Sequence, residues 1–309
     1  MLSPGGEIEG PSALSTLAIE SRQLYREFVR ELEDVSGRTV DYQECGALDL
    51  AYSGEELETL EARAAAQSVL GIASKPLTPK YVSTFWPRVR QDELVGARFY
   101  PGDALVDPRD VIAALELACL RAGVSIRPHC PVSRVDVSGP FPKVVSKDAV
   151  TTCKALIIAA GAWSDSIEVE GAAPIPACEP IKGHLIAYQQ PEQTCNTMVR
   201  HGHAYVLQRA NGLLIAGTTV ERVGFNRDIL PGIVSDLAQQ ASYVFPHLLE
   251  TSPTEAWVGF RPASNGLQIG SWHSPALYLA YGHYRNGILL APGTARRLVA
   301  DINANLRTR

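Results

Sequence analysis

The stretch from Trp257 to Thr294 constrains the fold of this chain more than any other. Its sequence is W-V-G-F-R-P-A-S-N-G-L-Q-I-G, a spacer, and then G-H-Y-R-N-G-I-L-L-A-P-G-T. Asn265-Gly266 is a dipeptide typical of tight hairpin turns, whose central residues need positive φ. We therefore predict a β-hairpin that delivers Arg261 at the end of a strand, because the following proline holds that arginine extended.

The second half of this stretch predicts a strand that turns directly into a helix. Leu277 to Tyr281 is a short β-prone run, and an apolar helix is expected from Ile288. Gly282 and Gly287 flank the turn between them and allow a partner to come close to the backbone. The free amide groups and the positive dipole end of such a helix suit a negatively charged or carbonyl-rich ligand.

These residues resemble the C-terminal signature of the D-amino-acid-oxidase family of flavoenzymes, and within it the glycine oxidases of thiamine biosynthesis. The resemblance implies non-covalently bound FAD, with its pyrimidine edge at the turn 282–289, and an amino-acid carboxylate bound by Arg261. The alternative to a binding role is that Arg261 and Arg285 are ordinary surface arginines, since most arginines lie at the surface. Two arginines that bracket one glycine-rich turn favour the binding role.

The resemblance implies an α/β (α+β) fold, with an incomplete Rossmann-like FAD-binding domain interleaved with an antiparallel-sheet substrate domain. It assigns residues 1–40, 100–168 and 262–309 to this partial FAD-binding domain. Residues 41–99 and 169–261 then form the substrate-binding domain. Composition agrees with a globular protein, since 46% of the 309 residues are hydrophobic.

A second group of candidate residues lies in the segment R-H-G-H-A-Y-V. His203 and Tyr205 are two residues apart, so on a strand they share one face. The resemblance places Tyr205 with Arg261 at the substrate carboxylate, His203 close by, and Arg285 at the mouth of the pocket. A solvated histidine at a strand edge is the alternative for His203. His201 and His203 could also form an H-x-H metal-binding pair. The sequence has no third ligand at a suggestive spacing, so we predict no metal site.

The candidate cofactor residues come from several parts of the chain. The apolar run Ala155 to Ala159 ends in Gly161, a pattern that suits a parallel strand whose carboxyl end touches a ligand. A core strand with a tight turn is the alternative. With the resemblance, the full set of predicted FAD contacts is Met1, Leu2, Val132, Ala160, Gly161, Trp163, Gly282, His283, Tyr284, Asn286, Gly287 and Ile288.

Periodicity and turn signals predict the remaining elements. A second Asn-Gly pair, at 211–212, indicates a hairpin. The expected helices lie between Ser12 and Gly37 and at Glu55 to Leu70, Arg109 to Arg121 and Pro231 to Val244. The expected strands are Cys45 to Tyr52, Val124 to Arg127, Val132 to Val137, Lys182 to Tyr188, Ala204 to Arg209 and Leu213 to Thr219.

Charge and cysteine usage exclude several classes of partner. The formal net charge is −5 and no basic stripe is evident, which argues against nucleic acid. The six cysteines show no C-x-x-C spacing and are expected to be reduced thiols. The longest apolar runs reach about half of the roughly 20 residues of a membrane helix, and the opening residues do not resemble a signal peptide. We expect a cytoplasmic protein with no membrane partner, and leave homo-oligomerisation open.

The family's G-x-G-x-x-G fingerprint is absent, since no two glycines in the sequence are separated by a single residue. In the family that fingerprint belongs to an N-terminal βαβ unit, whose backbone amides reach the FAD diphosphate. Two explanations stay open: an incomplete version of a glycine-oxidase-like protein, or a relict that serves as a carboxylate-binding or interaction module. We favour the first, and expect the chain as written to bind FAD weakly or not at all.

The reaction that the resemblance implies is oxidative deamination of glycine or another small amino acid. An amino acid, dioxygen and water give a 2-oxo acid, ammonia and hydrogen peroxide. The expected partners are therefore a small amino-acid substrate and dioxygen, with FAD as the redox cofactor. Impaired activity is expected for the chain as given.

Overall fold

The computed structural model of the protein describes residues 1–147, 149–190 and 193–307. The α-helices are α1 (Pro4–Glu7), α2 (Ala13–Ser36), α3 (Gly54–Ser68), α4 (Pro79–Phe85), α5 (Pro108–Arg121), α6 (Pro231–Val244) and α7 (Gly287–Arg307). The β-strands are β1 (Tyr42–Gln43), β2 (Ala47–Ala51), β3 (Lys75–Leu77), β4 (Gly96–Tyr100), β5 (Leu105–Val106), β6 (Val132–Asp136), β7 (Lys143–Ser146), β8 (Val150–Thr152), β9 (Leu156–Ile158), β10 (Glu168–Glu170), β11 (Glu179–Gln189), β12 (Met198–His201), β13 (Ala204–Gln208), β14 (Leu213–Gly217), β15 (Glu255–Ala263), β16 (Gln268–Ser271) and β17 (Leu277–Tyr281). Among these described residues, no helix is long and apolar enough to span a membrane.

The largest sheet of the described residues has eight strands, in the order β15-β11-β14-β13-β12-β2-β4-β3. Its pairings are antiparallel except for β12 with β2. Helix α6 packs on the sheet through Leu237 and Ala241, which join Ile186, Val206 and Ala216 in one buried cluster. The register places Arg261 of β15 opposite Ile181, and Tyr205 of β13 opposite Gly217.

Three smaller sheets contain the other described strands. Strand β17 lies between β16, to which it is antiparallel, and β9, to which it is parallel. Because Ile158 pairs with Leu279, the carboxyl ends of β9 and β17 lie at the same edge. A four-stranded sheet of β10, β6, β7 and β8 and a two-stranded sheet of β1 and β5 complete the described strands.

Helices α2 and α7 pack together and fix the start of α7 beside the sheets. Gly293 lies against α2, where a Cβ atom would come within 2.8 Å of the Leu17 side chain. Its amide donates to Ser21 Oγ at 3.0 Å, and the Tyr25 hydroxyl donates to the carbonyl of Ile288. The side chain of Leu289 joins the same core. The N-terminus of α7 is thereby held at a defined place.

The structure confirms the mixed α/β fold and most of the predicted elements. Helix α6 and strand β17 have the predicted bounds, and β13 and β14 form the hairpin expected at Asn211-Gly212. Asp107 caps α5, as its side chain accepts from the Arg109 amide at 2.8 Å. The described cysteines are all free, as predicted. The division into two interleaved domains stays a prediction.

Two predictions about strands were wrong. The Asn265-Gly266 turn does not close a hairpin, because β15 pairs with β11 and β16 pairs with β17 in a different sheet. Gly266 does have a positive φ of 82°, so the turn chemistry is present but it carries the chain between two sheets. Residues 124–127 are not a strand. They follow the end of α5 as irregular backbone.

Candidate active site

Arg261 is held by neutral oxygen atoms near the end of β15. Its guanidinium donates to the Thr218 hydroxyl at 2.6 Å and to the carbonyls of Thr219 at 3.0 Å and Lys182 at 3.4 Å. Gly183 on the neighbouring strand makes room for it, since a Cβ atom there would lie 2.2 Å from Arg261 Nη2. No carboxylate of the described residues lies within ion-pair distance of this guanidinium. Its positive charge is therefore positioned and free to bind an anion.

Tyr205 faces the same space from β13. A Cβ atom on Gly217, its partner across the strand pair, would lie 3.4 Å from the Tyr205 hydroxyl, so the phenol lies against the backbone of β14. Burial raises the pKa of Tyr205, and the nearby Arg261 and Arg285 oppose that rise. The phenol therefore remains protonated at neutral pH, and it can donate a hydrogen bond to a carboxylate.

Arg285 approaches the site from the short 3₁₀ turn Tyr284–Asn286. Its Nη2 atom lies 3.3 Å from the carboxylate of Glu7, at the end of α1. The pKa of Arg261 is lowered, first by burial and then by the like charge of Arg285. Two guanidinium groups that repel each other define a site that favours a negative charge between them.

These side chains line one small cavity of about 90 Å³. The residues around it are Met1, Glu7, Tyr205, Thr218, Arg261, Arg285 and Asn286. A neighbouring cavity of about 460 Å³ shares four of them, which are Met1, Glu7, Tyr205 and Arg285. The predicted pair of Tyr205 and Arg261 thus lies in a single cavity, and a larger one adjoins it.

His203 does not lie on the strand face predicted for it. It occupies an exposed turn with Gly202, which has a φ of 57°, immediately before β13. It lines the larger cavity but not the small one. His201 is bonded to Glu56 at 3.1 Å and stacks on Tyr243, so the two histidines of the H-x-H segment have different surroundings.

The turn that follows β17 adjoins the small cavity. Gly282 is buried with a φ of 79°, and a Cβ atom there would lie 2.7 Å from the Gly266 carbonyl oxygen, so only glycine fits. The amide of Asn286 donates to the His283 carbonyl at 2.9 Å, and α7 then begins at Gly287. Burial lowers the pKa of His283, which favours its neutral form. The predicted residues 282–288 thus form one compact turn at the start of a helix.

The predicted residues after β9 lie at the same sheet edge as this turn. Ala160 and Gly161 follow β9, and a Cβ atom on Gly161 would meet no atom within 4 Å. Trp163 is 46% exposed and stacks on Phe225 with ring centroids 5.1 Å apart. The parallel pairing of β9 with β17 therefore brings two predicted cofactor segments together from positions more than 100 residues apart in the chain.

The other predicted cofactor residues have varied surroundings. Met1 lines both cavities. Leu2 is fully buried in the core, and its amide and carbonyl both bond to Ala104. Its side chain is therefore unavailable to a ligand. Val132 is partly buried in β6, where it packs against the cluster that contains Ile158.

Sequence reasoning missed three residues that shape the small cavity. Thr218 bonds Arg261, Glu7 pairs with Arg285, and Gly183 leaves the space for the Arg261 guanidinium. Each acts on a partner far away in the chain. A glycine in the interior of strand β11 was the one available signal, because such a glycine often marks a close approach.

Replacement of Tyr205 by Phe is expected to weaken binding of acetate about tenfold, since a hydrogen bond to a charged group is lost while the ring is kept. Because the pKa of Tyr205 is raised, the wild-type phenol stays a donor and its contribution should be constant from pH 7 to 9. Calorimetric titration with acetate measures both effects. Tyr81→Phe, on the exposed face of α4, is the control. If the wild-type affinity for acetate falls to that of the Phe variant by pH 9, the prediction that the phenol stays protonated is wrong.

The family model for FAD dependent oxidoreductases, DAO, matches residues 1–302. The chain belongs to this family. The match covers both the small cavity and the turn 282–288.

Two relatives are similar along nearly the whole chain. The bifunctional protein ThiO/ThiG of Nostoc sp. (strain PCC 7120) is 31% identical over 312 residues, which cover 98% of this chain and 46% of that protein. The glycine oxidase of Geobacillus kaustophilus is 30% identical over 309 residues, which cover 98% of this chain and 81% of the relative. The chain thus spans less than half the length of the bifunctional relatives and about four fifths of the glycine oxidase.

Solved structures agree with the fold. The crystal structure of glycine oxidase from Geobacillus kaustophilus superposes with a TM-score of 0.90 at 27% identity and covers 97% of this chain and 82% of that one. The L-α-glycerophosphate oxidase from Mycoplasma pneumoniae, solved with FAD bound, gives a TM-score of 0.83 at 20% identity and covers 98% of this chain and 83% of that one. The latter likeness shows the shared fold alone.

The residues around the turn 282–287 suit one end of FAD, the cofactor of this family. The turn at 282–287 supplies the left-handed glycine and the helix N-terminus that suit the polar edge of a flavin ring. Gly287 is exposed at that terminus. The glycine-rich G-x-G-x-x-G segment that cradles a diphosphate is not among the 309 residues. The described residues therefore fit the ring end of FAD.

Proposed function

We propose that the protein catalyses the FAD-dependent oxidative deamination of glycine or another small amino acid. The amino acid, dioxygen and water are converted to a 2-oxo acid, ammonia and hydrogen peroxide. One observation carries the proposal: Tyr205 and Arg261 line a single small cavity that adjoins the turn at the start of α7. The similarity to glycine oxidases along 98% of the chain supports it.

Arg261 is the residue we assign to the substrate carboxylate. Its guanidinium is fixed by Thr218, Thr219 and Lys182, and planar guanidinium groups bind carboxylates through two parallel hydrogen bonds. Tyr205 donates a further hydrogen bond to the same carboxylate. Arg285 adds positive charge at the boundary with the larger cavity.

The size of the cavity favours a small substrate. Its volume of about 90 Å³ is well below the roughly 300 Å³ at which sites for drug-sized ligands begin. The residues of the turn 282–288, with Ala160 and Gly161, are those we assign to FAD. When bound, FAD supplies the oxidising power, taking two electrons from the substrate and passing them to dioxygen. The chain's own residues bind and orient the acid and keep the phenol protonated.

The proposed domains provide the two sides of this site. Tyr205, Thr218 and Arg261 belong to the segment 169–261 that we assign to the substrate domain. Arg285 and Asn286 belong to the segment 262–309 that we assign to the FAD domain. A site at the junction of two such units is a common place for a small-molecule substrate.

The test is an oxidase assay on the purified chain with added FAD. Glycine, sarcosine and D-alanine are each supplied, and hydrogen peroxide, ammonia and the 2-oxo acid are quantified. We expect equal amounts of peroxide and oxo acid from at least one of these substrates, and none from acetate. Titration with FAD in the same experiment measures cofactor affinity, for which the sequence predicts a low value. A saturated, FAD-loaded protein that oxidises none of the three would overturn the proposed function.

A further inference from the structure

We propose that Glu7 recognises the ammonium group of the incoming amino acid, at the passage between the small and the large cavity. The inference rests on the proposed function, and it adds a specificity-determining residue to it. Glu7 lies at the end of α1 and lines both cavities. It is thus placed where a substrate passes from the larger space to the smaller one.

The charges around the small cavity match a zwitterion. Its lining contains two guanidinium groups, Arg261 and Arg285, and among the described residues that line it Glu7 is the one acid. A ligand with only a carboxylate would be attracted by the arginines and repelled by Glu7. An α-amino acid brings a positive group next to the negative one, so it satisfies all three side chains.

The pairing of Glu7 with Arg285 supports this role. The two groups are 3.3 Å apart, and their side chains are 16% and 27% exposed. A carboxylate bound by Arg261 lies close to Arg285 and competes with Glu7 for that guanidinium. Glu7 is then left with a negative charge in a half-buried place, and a substrate ammonium group is the partner that neutralises it.

The backbone that carries Glu7 is fixed. Leu2 exchanges two hydrogen bonds with Ala104, at 2.7 and 2.9 Å. The Gly5 amide donates to Asp103 Oδ1 at 3.0 Å, and Gln67 Nε2 donates to the carbonyls of Gly5 at 2.9 Å and Ile8 at 2.6 Å. Residues on both sides of Glu7 are therefore tied to α3 and to the turn between β4 and β5. The fold thus sets the backbone position from which the Glu7 side chain reaches the cavities.

Neighbouring acids do not share these surroundings. Glu9 is exposed and lines the larger cavity but not the small one, and Glu56 is engaged by His201. Glu9 is two residues from Glu7 and carries the same charge. It is a matched control for loss of a carboxylate from this segment.

The experiment compares glycine with acetate, which share a skeleton and differ in the amine. Affinities are measured by calorimetry on dithionite-reduced, FAD-loaded protein under argon, because a reduced flavin cannot oxidise the glycine. In Glu7→Gln we expect glycine to bind about tenfold more weakly and acetate to bind as tightly as before or more tightly. Glu9→Gln should change neither affinity, and Glu7→Asp should recover part of the glycine affinity.

The two affinities separate recognition from a structural role. If Glu7 only supports Arg285, both ligands should weaken by the same factor in Glu7→Gln. An unchanged ratio of glycine affinity to acetate affinity in Glu7→Gln would therefore overturn the proposal. A wild-type protein that binds neither ligand would overturn it as well. The peroxide assay of the wild type reports on the proposed function separately. A protein that shows the change in preference but releases no peroxide retains the recognition role and is not an oxidase.

Discussion

Replacement of Arg261 by Ala is expected to raise the dissociation constant for glycine and for acetate about 100-fold, while the protein stays folded. Loss of one partner from a desolvated, charge-paired contact costs about 2–5 kcal/mol, and 100-fold corresponds to about 2.7 kcal/mol. The guanidinium has no carboxylate partner among the described residues, so its removal leaves no unpaired acid behind. Calorimetric titration with the two ligands, combined with thermal melting, measures both parts of the prediction.

Arg222→Ala is the matched control for this change. Arg222 belongs to the loop that follows β14, is 71% exposed at its side chain, and pairs with the exposed Glu179. Its removal should alter ligand affinity less than twofold, because exposed ion pairs contribute little. Arg261→Lys should bind more tightly than Arg261→Ala and less tightly than the wild type, since lysine restores the charge but not the planar fork. Equal affinities for the Ala variant and the wild type would remove Arg261 from the site.

Local patterns predicted the elements whose determinants are close together in the chain. Helix α6 and strand β17 have the predicted bounds because proline, glycine and apolar periodicity mark their ends. The hairpin at Asn211-Gly212 is set by its own two turn residues. The apolar run Ala155 to Ala159 predicted a parallel strand, and the structure shows β9 there, paired in parallel with β17.

Long-range pairing explains what the sequence did not predict. Asn265-Gly266 has the composition of a hairpin turn, but β15 extends along nine residues of β11 and leaves β16 to another sheet. The contact of Glu7 with Arg285 joins residues 278 positions apart, and no local pattern encodes it. His203 was predicted to share a strand face with Tyr205 because the two are two residues apart. Gly202 has a left-handed conformation, and His203 therefore lies in a turn before the strand begins.

Replacement of Arg200 by Ala is expected to destabilise the protein by about 3–5 kcal/mol, the usual cost of removing one partner from a buried ion pair. The Arg200 guanidinium bonds Asp49, Asp103 and Ser3, and it is 8% exposed. Its loss leaves the carboxylate of Asp103, which is 1% exposed, without a cation. Chemical denaturation, analysed with a common slope, measures the change in the free energy of unfolding.

The exposed Arg26→Ala variant tests whether this cost comes from burial. Arg26 also pairs with a carboxylate, that of Glu44, but its side chain is 78% exposed, and its removal should cost less than about 1 kcal/mol. Because Arg200 and Asp103 also hold the segment that carries Glu7, Arg200→Ala should weaken glycine binding more than acetate binding. Equal stabilities for the two variants would show that the Arg200 network is solvated, and the fixed position proposed for Glu7 would lose its physical basis.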